Sequence, residues 1–596
     1  MKPTVLNEIQ LTVGTYHFQL VGCNDQFRGS LTSTTVQEGV ELIHIKLEGD
    51  SLQQPPAIEL VWFHPGIDIQ GSWYPSAYRS KRLRVDWEDG VVSKSTYSAP
   101  VFSLFNVLGS NRLTFAFSDA LNSVALSAGV NEETATFRCG VKLFVEPIAP
   151  LSVYEATLRL DSREVPYYES LNDVQKWWAT LPGYTPAVVP ESAKLPMYST
   201  WYSFHQQFTS EGIEQECRLA KQIGCEAVIV DDGWQTSDHT RGYAFCGDWE
   251  VCAEKIPDMR SHVASVHRMG LKYLLWYSVP FVGFKSRNWE RFKTKMLKTV
   301  DSLQTGVLDP RYPDVRDFII DLYETALTEW DLDGFKLDFI DSFVGTEETI
   351  YKIDSEMDYI SIPEAVDCLM SNIIDRLRFI KPEVMIEFRQ NYIGPLMRKY
   401  GNMFRAMDCP NDAIENRVRT LDIRLISGNT AVHSDMVMWH PHEMVESSAL
   451  QIVNTLFSVP QLSVKLDGLP EEHLQMVRFW LTFWREHRDV LVDGRIMPQH
   501  PDFLFPLVIA DTAAKRVVCA YGDVTVRPGG NPPELVLFVN GTLNSRLNVE
   551  LEEDWGSRWL EVRDCKGQLV KKELVELNAG IHRLEIPPCG VAAVYE

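Results

Sequence analysis

CEAVIVDDGW at residues 225–234 and LDGFKLDFI at residues 332–340 decide how this chain is read. In the first stretch, four apolar residues, Ala227 to Val230, run straight into Asp231-Asp232-Gly233. A short continuous apolar run that ends in a charged turn reads as a strand buried on both faces, as parallel strands are. In the second stretch Phe335 and Leu337 alternate with Lys336 and Asp338. Side chains two apart on a strand share a face, so Lys336 and Asp338 point the same way.

The same rhythm continues on both sides. MYSTWYSF (197–204), LKYLLWYSV (271–279), EVMIEFRQN (383–391), NMFRAMD (402–408), GNTAVHSDM (428–436) and PQLSVKL (460–466) complete eight strand candidates. Helix-period stretches lie between them, among them EGIEQECRLAKQIG (211–224), PDVRDFIIDLYETALTEW (313–330) and EEHLQMVRFWLTFWREH (471–487). Eight apolar strands alternating with helices predict a parallel (β/α)8 barrel, over residues 186–500. Before it, to residue 185, short alternating runs such as GVELIHIKLEG (39–49) and RLTFAFSD (112–119) predict an N-terminal β-sandwich. Pro182, Pro186, Pro190 and Pro196 mark the linker. From 501 to 596, runs such as KRVVCAYGD (515–523) and ELVLFVNGT (534–542) predict a smaller C-terminal β-sandwich. The 596 residues exceed what one core supports, in keeping with three domains.

Composition narrows the function. A formal net charge of −24 argues against nucleic-acid and membrane-surface partners. The longest apolar run, Tyr273–Phe284, contains Pro280 and falls short of a membrane span. MKPTVLNEIQLTV at the start lacks a secretory pattern, and the 11 cysteines are scattered without C-x-x-C spacing. A cytoplasmic protein is expected. On that expectation the sequon at Asn540-Gly541-Thr542 carries no glycan.

In a (β/α)8 barrel the site lies at the C-terminal strand ends. Those ends carry Trp201, then Asp231, Asp232 and Trp234, then Trp276, then Lys336 and Asp338, then Glu387, Arg389 and Asn391, then Arg405 and Asp408, then His433 and Asp435, and last Lys465 and Asp467. Indole faces suit the C–H side of a pyranose, carboxylates accept from vicinal hydroxyls, and two carboxylates can flank a glycosidic bond. Each has a structural alternative. Asp-Asp-Gly can be a turn, Lys336 and Asp338 an ion pair, Asp408 a helix cap, and the tryptophans core. Their joint occurrence at barrel spacing favours a site. His433, His440 and His442 fit no zinc pattern, so neither a metal nor another cofactor is expected.

VIVDDGWQ (228–235), GDWEV (247–251), GFKLDF (334–339) and FRAMD (404–408) together resemble the clan of glycoside hydrolases that holds the family 27 and family 36 α-galactosidases. DDGWQ, RAMD and HSDMVMWHP (433–441) are similar to the branch containing raffinose synthases. The resemblance implies a retaining α-galactosidase acting on oligosaccharides, with Asp338 as nucleophile and Asp408 as acid/base. It also implies that Asp231 and Asp232 hold O4 and O6, and that Lys336 and Arg405 contact sugar hydroxyls. Trp201, Trp234, Asp248, Trp249 and Trp276 would wall the pocket. Arg389 is counted with them, because Glu387–Asn391 stands where many relatives carry a Cys- and Gly-rich segment near O2. That departure keeps an α-N-acetylgalactosaminidase among the alternatives, beside galactosyl transfer, another α-glycosidase of the clan and a non-catalytic sugar-binding barrel. Asp412 is the reserve acid/base. With Lys336 beside it, Asp338 should be ionised, while Asp408 should hold its proton longer. A homo-oligomer is compatible with the relatives' habits.

Overall fold

The computed structural model describes residues 9–596. The reading of residues 1–13 therefore concerns a segment whose first eight residues lie outside the described ones. Eight parallel strands form one sheet: β1 (Met197–Ser199), β2 (Ala227–Val230), β3 (Lys272–Ser278), β4 (Gly334–Asp338), β5 (Met385–Arg389), β6 (Met403–Arg405), β7 (Ala431–His433) and β8 (Gln461–Leu462). Their order around the sheet is their order in the chain, and β8 pairs in parallel with β1 through Met197↔Gln461 and Tyr198↔Leu462. Single parallel bridges, His433↔Val459 and Val437↔Leu462, complete the ring between β7 and β8. This is the (β/α)8 barrel that the sequence predicts.

The main helices that follow these strands are α1 (Ser210–Ile223), α2 (Met259–Arg268), α3 (Pro313–Glu329), α4 (Ile362–Ile380), α5 (Met397–Tyr400), α6 (Ala413–Ser427), α7 (Val445–Val453) and α8 (Glu471–Glu486). Several starts are readable from local chemistry. Thr209, Asp258, Ser361 and Asp412 accept from backbone N–H groups in the first turns of α1, α2, α4 and α6. Two features depart from a regular alternation. Pro280 ends the apolar run after β3, and Phe281–Gly283 turns into a three-stranded antiparallel sheet with Met296–Val300 and Thr305–Leu308. After β5 the helix is a single turn.

The barrel interior is layered by strand alternation. Met197, Ala227, Ile229, Leu274, Met385, Met403 and Ala431 form an apolar cluster near the strand starts. Two residues further along most of these strands the inward positions become polar or aromatic: Ser199, Trp276, Glu387, Arg405 and His433. Gly334 on β4 is required by close approach, since a Cβ there would stand 2.0 Å from the Met385 carbonyl oxygen.

A seven-stranded and a six-stranded sheet precede the barrel. Between them lies a core that includes Phe18, Ile45, Leu60, Trp62, Phe115 and Val141. After the barrel, a seven-stranded and a three-stranded sheet enclose Val518, Phe538, Val549 and Trp555. The first strand of that sheet, Arg495–Gln499, precedes residue 501 and pairs with Leu507–Asp511. Its short run contains Pro498 and lies at the sheet edge, which hides the strand signal. The N-terminal sheets are fastened to the barrel by a buried ion pair, Lys81 Nζ to Asp422 Oδ2 at 2.7 Å. Trp73 Nε1 donates to the other oxygen of Asp422. Among the described residues no helix is long and apolar enough to cross a membrane.

Candidate active site

A cavity of about 160 Å³ opens at the C-terminal ends of the strands. Nine of the expected site residues line it: Trp201, Asp231, Asp232, Trp276, Lys336, Asp338, Arg389, Arg405 and Asp408. Tyr243, Phe339 and Met407 line it as well.

Asp338 ends β4 and is almost buried. Its Oδ1 accepts from the Phe339 N–H (2.7 Å), from Arg389 Nε (2.8 Å) and from the Tyr392 hydroxyl. Its Oδ2 accepts from Trp276 Nε1 at 3.2 Å. Burial alone would raise its pKa. The Arg389 and Lys336 cations and the Tyr392 and Trp276 donors override burial and hold the carboxyl well below the usual carboxylate range. Phe339 adopts a left-handed backbone, φ 63°, which lets its N–H fold back on the carboxylate.

Lys336 Nζ, which the sequence places beside Asp338, makes its ion pair with Asp231 Oδ2 at 2.6 Å. Asp232 accepts from Gln206 Nε2 (2.7 Å) and Gln235 Nε2 (2.8 Å). Burial dominates there and pushes Asp232 up to about 6. The turn that aims both aspartates needs glycine. Gly233 has φ +111°, and a Cβ on it would meet Gln206 Cα at 2.8 Å.

Arg405 ends β6 and serves three carboxylates. Its Nη2 donates to Asp408 Oδ1 (2.9 Å), its Nη1 to Asp435 Oδ1 (2.5 Å), and its Nε stands 3.5 Å from Glu387 Oε1. Asp435 also accepts from the Tyr202 hydroxyl (2.9 Å) and the Cys409 N–H (2.6 Å). Burial lifts Asp435 to about 6, against Arg405. The side chain of Asp408 is 46% exposed. Burial pushes its pKa up, but the Arg405, Lys336 and Arg389 cations together outweigh this and lower it. Burial by itself would favour the protonated form of Asp408, and the sequence does not reveal that Arg405 reaches it and favours the carboxylate.

Trp234, Asp248 and Trp249, expected in the wall, do not line the cavity. Trp234 is buried and donates through Nε1 to the Trp276 carbonyl at 2.9 Å. Trp249 stacks on Trp234, with ring centroids 5.9 Å apart, and meets Trp276 edge-on. The two indoles brace Trp276 from behind. Asp248 accepts from the Arg287 and Asn288 N–H groups and fixes that segment. Asp412 caps α6 through the Glu415 N–H and pairs with Arg79, and it too is outside the cavity lining.

Of the three fifth-strand residues, Arg389 alone reaches the cavity. Glu387 is fully buried and bonds to Gln461. Asn391 accepts from the Tyr78 hydroxyl through its side chain and from the Ser98 N–H through its carbonyl, both in the N-terminal sheets region. His433 donates to the Ala193 carbonyl at 2.7 Å, and burial lowers its pKa to about 4. His440 and His442 are exposed neighbours, and Lys465 lies over the Phe204 ring.

The residues that sequence reasoning passed over are Tyr243, Phe339, Met407, Tyr392 and Tyr202. Phe339 and Met407 are sequence neighbours of the two key aspartates, a signal that was available. Tyr243 arrives on the long β2–α2 loop and carried none.

A family model described as Melibiase matches residues 191–494, just over half of the chain. The chain belongs to the Melibiase family. Among curated relatives, the α-galactosidase Mel36A of Lactobacillus acidophilus is 26% identical over 151 residues, 24% of this chain and 20% of that protein. The aligned stretch thus spans about a fifth of the length of that relative. Among solved structures, the family 36 α-galactosidase AgaA of Geobacillus stearothermophilus, in complex with raffinose, superposes with a TM-score of 0.66 at 15% identity. That superposition covers 99% of this chain and 85% of AgaA. A family 31 sulfoquinovosidase from E. rectale reaches 0.60 at 10% identity, over 98% of this chain and 88% of its own. The Melibiase match begins just before β1 and ends after α8, so it spans the whole barrel that builds the cavity.

Proposed function

We propose that this chain is a retaining α-glycosidase that removes terminal α-galactose-type residues from oligosaccharides. The observation that carries the reading is that one small cavity unites a strongly ionised Asp338 with the half-exposed Asp408, the Asp231–Asp232 pair and the Trp201 and Trp276 faces. A cavity of about 160 Å³ suits one terminal sugar, with the rest of the oligosaccharide outside. Family membership supports the reading, as do the AgaA structures with raffinose and stachyose. Those two structures each carry an aspartate substitution, at positions seventy residues apart in that chain. Asp338 and Asp408 have the same separation.

In this mechanism Asp338 attacks the anomeric carbon and Asp408 protonates the departing glycosidic oxygen, giving a covalent glycosyl-enzyme. Asp408 must first take a proton and leave Arg405. Asp435 keeps Arg405 compensated when that happens. Once Asp338 is esterified its charge is gone, and Asp408 deprotonates the incoming water. Asp231 and Asp232 accept from sugar hydroxyls, with Lys336 and Arg389 supplying donors. A cytoplasmic setting belongs to the proposal. All eleven cysteines are unpaired and most are buried. The Asn540 amide is buried and donates to three carbonyls, which leaves it unsuited to glycosylation.

The test is hydrolysis of aryl α-galactoside, α-N-acetylgalactosaminide and α-glucoside by wild type and by Asp338→Ala. The proposal expects cleavage of the galactoside, loss of activity in the variant, and azide rescue yielding the β-azide. Inactivity on all three substrates, or an active variant, overturns it.

A further inference from the structure

A cavity of about 910 Å³ lies away from the site just described. It is bounded by the helix Tyr167–Ala179, by the segment before β7, and by residues 492–496. Thr430, immediately before β7, and Lys194, shortly before β1, place it at the N-terminal end of the barrel. A volume of that size is typical of small-molecule sites.

Its charge is unbalanced. Five cations line it, Lys176, Lys194, Arg398, Arg424 and Arg495, against three carboxylates, Glu169, Asp173 and Asp493. Each carboxylate is already taken: Arg495 pairs with Glu169, Lys194 with Asp493, and Lys176 with Asp173. Among the described residues neither Arg398 nor Arg424 has an ion-pair partner. Arg398 is 3% exposed, and its guanidinium donates to neutral acceptors: Thr430 Oγ1 (3.2 Å), Gln175 Oε1 (3.1 Å) and Asn429 Oδ1 (3.3 Å). Arg424 donates to the carbonyls of Phe457, Leu491 and Val492. A buried guanidinium without a counter-ion is costly. Here the buried Arg398 and the half-buried Arg424 line one cavity in a chain of net charge −24.

We propose that this cavity is a second ligand site, which binds a doubly charged phosphoryl group between Arg398 and Arg424. A phosphoryl dianion supplies the direct ion pair that both guanidinium groups lack, and its oxygens suit the guanidinium fork. The volume leaves room for a small body esterified to that group. The inference is independent of the glycosidase reading.

The test adds the missing counter-ion in place. Gln175→Glu and Asn429→Asp each set a carboxylate against Arg398 with almost no change in shape. Calorimetric titration of inorganic phosphate and of a hexose phosphate into wild type should show saturable binding. Each variant should weaken it at least tenfold, and each should melt higher than wild type in phosphate-free buffer. Asp338→Asn should leave it unchanged, which separates this cavity from the other site. Tighter binding of the ester assigns a phosphorylated metabolite, and equal affinity assigns free phosphate. Absence of saturable binding of both, or binding that survives both variants, overturns the proposal.

Discussion

Replacing Lys81 with methionine should loosen the N-terminal sheets from the barrel by an amount the structure lets one work out. Lys81 and Asp422 are both buried and 2.7 Å apart. Burial drives the Lys81 pKa down and that of Asp422 up, each against the attraction of its partner. Removing one partner of such a pair costs about 3–5 kcal/mol, because the other charge is left dry and uncompensated. The cost should depend on pH in a fixed direction. Without Lys81 the folded-state pKa of Asp422 rises further, while its unfolded value stays near 4. Between those two values the folded variant holds a proton that the unfolded chain has lost, so stability falls by about 1.36 kcal/mol per pH unit as pH rises. Urea midpoints of wild type and Lys81→Met, taken from pH 5 to pH 8, should therefore diverge with increasing pH. The double variant Lys81→Met/Asp422→Asn should regain most of the loss, since an amide keeps an acceptor for Trp73 and needs no cation. A deficit under about 1 kcal/mol at pH 8, or one that is equal at pH 5 and pH 8, would refute the reasoning.

Asp408→Ala should lower kcat on unactivated glycosides by about 10²–10⁴-fold. Asp412→Ala should leave turnover within twofold and cost about 1 kcal/mol of stability through the lost cap, and kinetics beside thermal melts check both. Asp232, lifted to about 6 by burial, should impose a fall in kcat/KM as pH drops below that value, and Asp232→Asn should abolish this limb. Its raised folded pKa means stability present at low pH is lost as pH rises through about 6, so the same variant should gain up to about 3 kcal/mol at pH 8. Trp276→Phe removes a donor from Asp338 and should cut kcat/KM by about 10–100-fold, with KM and kcat measured separately to divide wall from donor.

The residues from Met197 to Leu466 settle a good deal unaided. Short apolar runs separated by helical stretches leave a barrel as the compact way to bury eight parallel strands. The two-residue period of a strand then decides which side chains point inward, so that Gly334, Lys336 and Asp338 on β4 and Met403 and Arg405 on β6 all turn to the barrel interior. The rule of strand ends places Asp231, Trp276, Asp338, Arg389 and Asp408 around one opening. What alternation cannot say is which cation answers which carboxylate, because those distances cross between strands and loops. Lys336 lies beside Asp338 in sequence yet pairs with Asp231, and Arg389 takes Asp338 instead. Arg405 reaches Asp408 and favours its carboxylate form, while Asp435 and Tyr202 hold the other side of that guanidinium. Trp234 and Trp249 carry the motif's strongest letters but stand behind Trp276, since an indole that size packs where the long β2–α2 loop folds back. Tertiary structure alone brings Tyr243 and Tyr392 to the site, and leaves Arg398 and Arg424 without a direct ion pair among the described residues at the far end of the barrel, because burial and electrostatic partners are properties of the assembled chain rather than of any local stretch.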